Sequence, residues 1–293
     1  MQSPPLLACR KNLLGNTPML QRQPLRSRLA ANVTVVASLL LMTSGCGTTG
    51  AGSGYNATTN PNQLNEAIVA EKPMKNVVIA HVNIGSPSRN YIKRSETMVD
   101  GRIAAYLRDN GYNILPQREF SQRWSNATLI YGDPVDPTTG RLNTKTFIRI
   151  TQSIRDDMRD KTDVDAFIFT DLIEHDAIVS GGMNHIARFN GVSRKPSLKG
   201  PGDGVSADFD WSRPVSAVSL QVSVYNIDLD QVFAGLGGID LTDAIDTRSG
   251  NGWVRRKDVL ENENYIDEGI QLALHPLIVM DNWPGENPKN NAN

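Results

Sequence analysis

Apolar positions along the chain follow three rhythms, and each predicts a different element. The nearly continuous run "NVVIAHVNI" (76–84) reads as a buried strand. In "SETMVDGRIAAYLRDNG" the apolar residues Val99, Ile103, Tyr106 and Leu107 return every three to four positions, which puts them on one face of a helix. Ser95 is the expected N-cap, Glu96 lies in the first turn, and Gly111 marks the stop. "YNILP" is a second strand closed by Pro116, so the chain opens in a βαβ-like manner. "REFSQRW" starts a second helix, "YGDPVDPTTG" is a loop of Asp-Pro and Gly turn residues, and "NTKTFIRITQSIRDDMRDK" is a third helix with Phe147, Ile150, Ile154 and Met158 inward. "DVDAFIFTDLIEHDAIV" returns to the strand rhythm, with an apolar centre from Ala166 to Phe169.

Further on, "VSAVSLQVSVYNID" alternates Val218, Leu220, Val222 and Val224 with Ser and Gln, the period-two pattern of a half-buried antiparallel strand. "DLDQ" makes a turn and "VFAGLGGIDL" is the hairpin partner. "NENYIDEGIQLALHPLI" closes the domain as a helix with Tyr265, Ile266, Gly269, Ile270 and Leu274 on one side. The expected fold class is α/β (α+β): a single mixed sheet with a βαβ-like opening, a C-terminal antiparallel hairpin and flanking helices. Between "DVDAFIFTDLIEHDAIV" and "VSAVSLQVSVYNID" lies a polar insertion, 180–214, long enough to be either functional or without fixed structure. The domain is expected over 76–281, with a polar tail at 282–293 and a Gly-, Thr- and Asn-rich tether at 46–75. No internal repeat is present.

The N-terminal segment changes the picture by giving an address. Arg26 and Arg28 precede "LAANVTVVASLLLM" (29–42), an apolar run of 14 residues. This is short of the roughly 20 needed to span a bilayer but suits a signal peptide. Thr43, Ser44 and Gly45 lead into Cys46, which resembles the bacterial lipoprotein lipobox. That resemblance implies acylation of Cys46, removal of 1–45, and, with Gly at position 47, an outer-membrane anchor facing the periplasm. An ordinary cleaved signal with an incidental Cys46 is the alternative. Met19 is a second possible start. The two cysteines of the chain are Cys9 and Cys46. Cleavage before Cys46 leaves one, so an internal disulfide and a paired-thiolate metal site are both excluded. Charge adds a further exclusion. Residues 1–45 hold five of the 30 basic side chains and no acid, so the remaining 25 face 31 acidic ones. A mildly acidic body is not a nucleic-acid binder, which needs a basic stripe.

Three stretches together resemble a periplasmic α/β family. It includes the curli-secretion channel lipoprotein, the lipoprotein activators of penicillin-binding proteins and the N-terminal domain of the Tol-system propeller protein. The stretches are "NVVIAHVNI" with its helix and "GYNILP", "KTDVDAFIFTDLIEHDA", and "VSLQVSVYNIDLDQVFAGLGGI" with the closing helix. They cover roughly residues 76 to 280. Thr170 stands where the family has Gly after the strand. The resemblance implies the fold and an envelope setting; fold alone transfers no activity. A membrane pore needs strands of about ten alternating residues, and the Pro- and Gly-broken insertion does not supply them.

Chemistry is sparse. His81, His175, His185 and His275 show no metal spacing and no H-E-x-x-H pattern. His175 sits between Glu174 and Asp176, and His81 interrupts an apolar strand; each is either a functional group or a hydrogen-bonded structural one. "GLGGID" lacks dinucleotide spacing and reads as a bulge or a close approach. No nucleophile elbow, calcium loop or cofactor motif is present. The insertion holds the best candidates: Arg188, Phe189, Arg194 and Lys195, then Phe209, Trp211 and Arg213, the composition of a protein-binding hot spot. The expectation is a non-enzymatic, lipid-anchored periplasmic binding or scaffold protein, attached to the membrane by its N-terminal lipid and working with a protein partner on an envelope machine. The alternative is an envelope hydrolase or small-ligand enzyme with an unrecognised site.

Overall fold

The computed structural model pairs the apolar runs into a six-stranded mixed sheet with helices on both faces. The structure describes residues 62–80, 92–136, 138–180, 184–202, 204–248 and 252–284, all within a compact unit spanning 54–293. Cys9, Met19, the leader, Cys46, most of the tether, His81 and residues 285–293 of the tail lie outside the described residues.

The elements run β1 (Gln63–Leu64), α1 (Glu66–Glu71), β2 (Asn76–Ala80), α2 (Lys93–Asp109), β3 (Asn113–Ile114), α3 (Gln117–Tyr131), α4 (Thr144–Lys161), β4 (Ala166–Ala177), β5 (Ala187–Phe189), β6 (Val192–Arg194), β7 (Leu198–Lys199), β8 (Val215–Asn226), β9 (Gln231–Leu241), β10 (Asp243–Asp246), β11 (Trp253–Arg255) and α5 (Glu263–Leu274). The main sheet has the order β1-β9-β8-β4-β2-β3. β2 is parallel to both β3 and β4, which realises the βαβ opening, and β4, β8 and β9 form an antiparallel meander. The expectation of a single sheet does not hold. β7, β10 and β11 form a second, three-stranded sheet, and β5 and β6 a two-stranded one. Both draw on the insertion, whose short polar strands carry no long hydrophobic run for a sequence pattern to register.

The helix faces follow the spacing. On α2, Val99, Ile103 and Leu107 are buried with Ile266, Ile270 and Leu274 of α5 against one face of the sheet. On α4, Ile150, Ile154 and Met158 are buried with Phe120 of α3 against the other. Asn143 and Asn262 cap α4 and α5 with side-chain oxygens. Ser95 is not the N-cap of α2: the helix starts earlier, at Lys93 after Ile92. Gly111 ends it at φ +87°, donating its N–H to Arg108 O.

The tether reading also changes at its C-terminal end. Gln63 and Leu64 pair with Ala234 and Phe233, and α1 follows immediately. The reason is the outer edge of β9, which needs partners. Val232 O accepts from Asn65 N–H, and Leu236 N–H donates to Asn62 Oδ1. Asn62 in turn donates to Leu272 O and His275 O of the closing helix. A polar, aperiodic segment becomes ordered because an open strand edge satisfies its backbone.

Candidate functional site

β4, β8 and β9 extend past the cover of α3 and α4, and the insertion closes that exposed end. The β5–β6 hairpin packs Ala187, Phe189 and Val192 on Ala177, Val215, Ala217 and Leu241, and Phe209 is buried edge-on to Trp211 and Trp253. The hairpin turn, Asn190-Gly191, takes left-handed φ of +42° and +89°, as two-residue hairpins of this type require. Asn190 then works in two directions. Its carbonyl accepts from Gly238 N–H on the edge of β9. Its side-chain amide donates to Ser219 Oγ at 2.8 Å and lies 3.1 Å from His175 Nε2.

Ser219 Oγ is 2.8 Å from His175 Nε2, while His175 Nδ1 lies 3.3 Å from the carbonyl of Asp176. Asn190 Nδ2, Ser219 Oγ and His175 Nε2 therefore lie within hydrogen-bond distance of one another. The distances match those of a nucleophile and its base. Access does not: Ser219 is 0% exposed, beneath the hairpin. The cluster clasps the hairpin to the sheet. Glu174, the neighbour of His175 on the other side in sequence, pairs with Arg255 and accepts from Thr242.

Of the seven candidates in the insertion, the structure divides buried from exposed. Phe189 and Phe209 are core residues. Arg194 is also buried: Nε donates to Ile239 O at 2.6 Å, Nη2 pairs with Glu268 at 2.7 Å, and the guanidinium lies 3.8 Å above the Tyr265 ring. Trp211 is half-buried, stacked on His185 with centroids 3.6 Å apart and edge-on to Phe209 and Trp253. Arg188, Lys195 and Arg213 are exposed. The Arg213 turn is shaped by Asp210, which accepts from Ser212 Oγ and N–H; these bonds hold its carboxyl below the ordinary range. The recognition candidates that the structure leaves at the surface, the rim of the insertion, are therefore Arg188, Lys195, Trp211 and Arg213.

Comparison with protein-family models, curated proteins and solved structures finds no match to this chain.

A second polar cluster lies where α2 meets β4. Thr170 Oγ1 donates to Asp100 Oδ1 at 2.8 Å, both buried. Glu96, Asp171 and Leu172 complete a cavity of about 10 Å³, space for one water. Sequence reading missed this pairing, because a Thr in a strand and an Asp in a helix give no local signal that they meet. Around β10, Asp240 pairs with Arg256 at 2.8 Å; burial raises its carboxyl above the ordinary value, and Arg256 opposes the rise. Among the described residues, no group of three or more His, Cys, Asp or Glu is arranged to hold a metal ion, and no helix is long and apolar enough to cross a membrane.

Proposed function

We propose that the chain is a lipid-anchored binding or scaffold protein of the bacterial envelope, held at the periplasmic face of the outer membrane through Cys46. Its partner is another envelope protein, and the rim of the insertion is the recognition element. One observation carries this reading. The insertion is folded on the ring contacts of His185, Phe209 and Trp211 and leaves Arg188, Lys195 and Arg213 exposed. Large aromatic and cationic groups held on a rigid base lose little side-chain entropy on binding, which is the economy of a protein interface.

Deleting residues 181 to 213 is a poor test, since it strips Phe189, Val192 and Phe209 from the core. Lys195 and Arg213 are exposed, so reversing their charge removes no core contact. Affinity capture with the full lipidated chain is expected to lose its envelope partners in a Lys195→Glu, Arg213→Glu variant with unchanged thermal stability. An identical set of partners would sink the rim as the recognition element.

The hydrolase reading has one observation in its favour, the 2.8 Å contact of Ser219 with His175. A serine-directed fluorophosphonate distinguishes the two readings. Labelling of wild type but not of Ser219→Ala would favour the hydrolase, and no labelling favours the binder.

A further inference from the structure

Ser219 and Asn190 are a buried nucleophile and a buried carboxamide in direct contact. Ser219 is 0% exposed and Asn190 8%. The serine hydroxyl lies 2.8 Å from Asn190 Nδ2 and 2.8 Å from His175 Nε2, and the amide nitrogen is 3.1 Å from the same ring nitrogen. A nucleophile, a base and an acyl group therefore meet at one point. The amide carbon is one C–N bond beyond Nδ2, so it is at most about 4.1 Å from Oγ. The last torsion of an asparagine is broad, and a turn about it presents the face of that carbon to the hydroxyl.

The surrounding backbone holds the pair in place. Asn190 O accepts from Gly238 N–H, and Gly238 is the residue that pairs with Ser219 across β8 and β9. The register of these strands shifts between Val218 and Ser219, a bulge of the kind that re-aims a side chain. Contact here is too close for any residue but glycine: a Cβ on Gly238 would come 2.5 Å from Val192 Cγ2 and 2.7 Å from Phe189 O. Phe189, itself buried, stands edge-on to His175 with centroids 5.5 Å apart. In the tautomer whose Nδ1–H donates to Asp176 O, 3.3 Å away, Nε2 is the basic nitrogen.

We infer that Ser219 and Asn190 join in an ester, a covalent clasp that the chain makes on itself. Ser219 Oγ attacks Asn190 Cγ while His175 Nε2 takes the hydroxyl proton. The Oγ–Cγ bond forms, the Cγ–Nδ2 bond breaks, and the nitrogen leaves as ammonia with the proton that His175 returns. Nothing is oxidised or reduced, and no co-reactant enters. Burial serves both ends of the step. It holds the two groups as an intramolecular pair, and it keeps water, which would hydrolyse the ester, away from the product. His175 is only half-buried, so its ring borders the solvent that receives the ammonia.

A clasp suits the element it closes. A hairpin of two three-residue strands is marginal by itself, and the described residues hold no cysteine to tie it down. A bond between positions 29 apart constrains the unfolded chain as a disulfide does. The inference is independent of the binding reading, since neither the rim nor the anchor takes part.

Tryptic mapping of the denatured full chain tests it. Residues 189–194 and 200–248 are separate tryptic peptides. From wild type they are expected joined, at their summed mass less one ammonia, and to separate in mild alkali, which hydrolyses esters. Ser219→Ala is expected to give only the separate peptides. His175→Gln is expected to slow the joining about a hundredfold, followed by pulse labelling after synthesis; joining at the wild-type rate would remove His175 as the base. Separate peptides of full mass from wild type overturn the inference. So does a 189–194 peptide that has lost ammonia without gaining a partner, which is ring closure of Asn190 on Gly191. If His175→Gln fails to fold, the wild-type and Ser219→Ala maps still decide.

Discussion

His275 ends α5 with its imidazole buried and stacked on Trp283 at 4.2 Å. Nδ1 accepts from Met280 N–H, so the proton sits on Nε2, which has no hydrogen-bond partner among the described residues. Desolvation lowers its pKa below the ordinary 6.5. The unfolded chain therefore binds the proton first as pH falls, and stability falls with it below about pH 6.5. Thermal melts from pH 7.5 to 5 are expected to show this decline, and His275→Gln to flatten it. An equal decline in the variant would count against His275 as its source. Arg194 makes a different demand on a single residue. One guanidinium plane serves Ile239 O, Glu268 and the Tyr265 ring at once, and a lysine ammonium cannot. Arg194→Lys is expected to cost about 2 kcal/mol in denaturant unfolding, with the m-value unchanged. A loss below about 0.5 kcal/mol would show these contacts to be incidental.

At the scale of elements, the glycines of "GLGGID" have a packing reason. A Cβ on Gly237 would lie 2.0 Å from Gly269 O and 2.7 Å from Ala273 N of α5. The neighbours there are backbone and cannot move aside, so Gly237→Ala is expected to destabilise by about 3 kcal/mol or more; a melting temperature within a degree of wild type would contradict the close α5–β9 contact. The β5–β6 hairpin depends on Asn190 in the same way. Alanine there loses the buried hydrogen bond to Ser219 and the part-buried contact with His175 and strains a left-handed turn, a cost of about 1–3 kcal/mol. Asn190→Gly relieves only the turn and is expected to recover part of it. Elements with a clear hydrophobic period were legible: the inward faces of α2, α4 and α5 and the β8–β9 hairpin all follow the apolar spacing. The half-buried reading of β8 fails locally, because Ser219 on the polar face is sealed by the hairpin. β1, β5, β6 and β7 were not legible, being two or three residues long and polar, and fixed by the edges they satisfy.

At the scale of the whole molecule, the proposed anchor predicts that the mature N-terminal peptide carries acyl chains on Cys46 and that Cys46→Ala leaves the membrane fraction. Unmodified Cys46 in a membrane-attached protein would refute it. The sequence by itself determined the class of the fold, the strand–helix–strand opening and the helix faces. Each of these is set by residue type at short spacing, where a period or a count is enough. The tertiary structure alone decided how the insertion divides. The same Arg and aromatic composition supplies the buried Arg194, Phe189 and Phe209 and the exposed Arg188, Lys195 and Arg213, because burial depends on which strand ends lie uncovered far away in the chain. It also decided that His175 meets Ser219, 44 residues on, and that Leu129 and Ile130 of α3 face water. Hydrophobic spacing says that a residue prefers burial; only the packed neighbours determine whether it is buried.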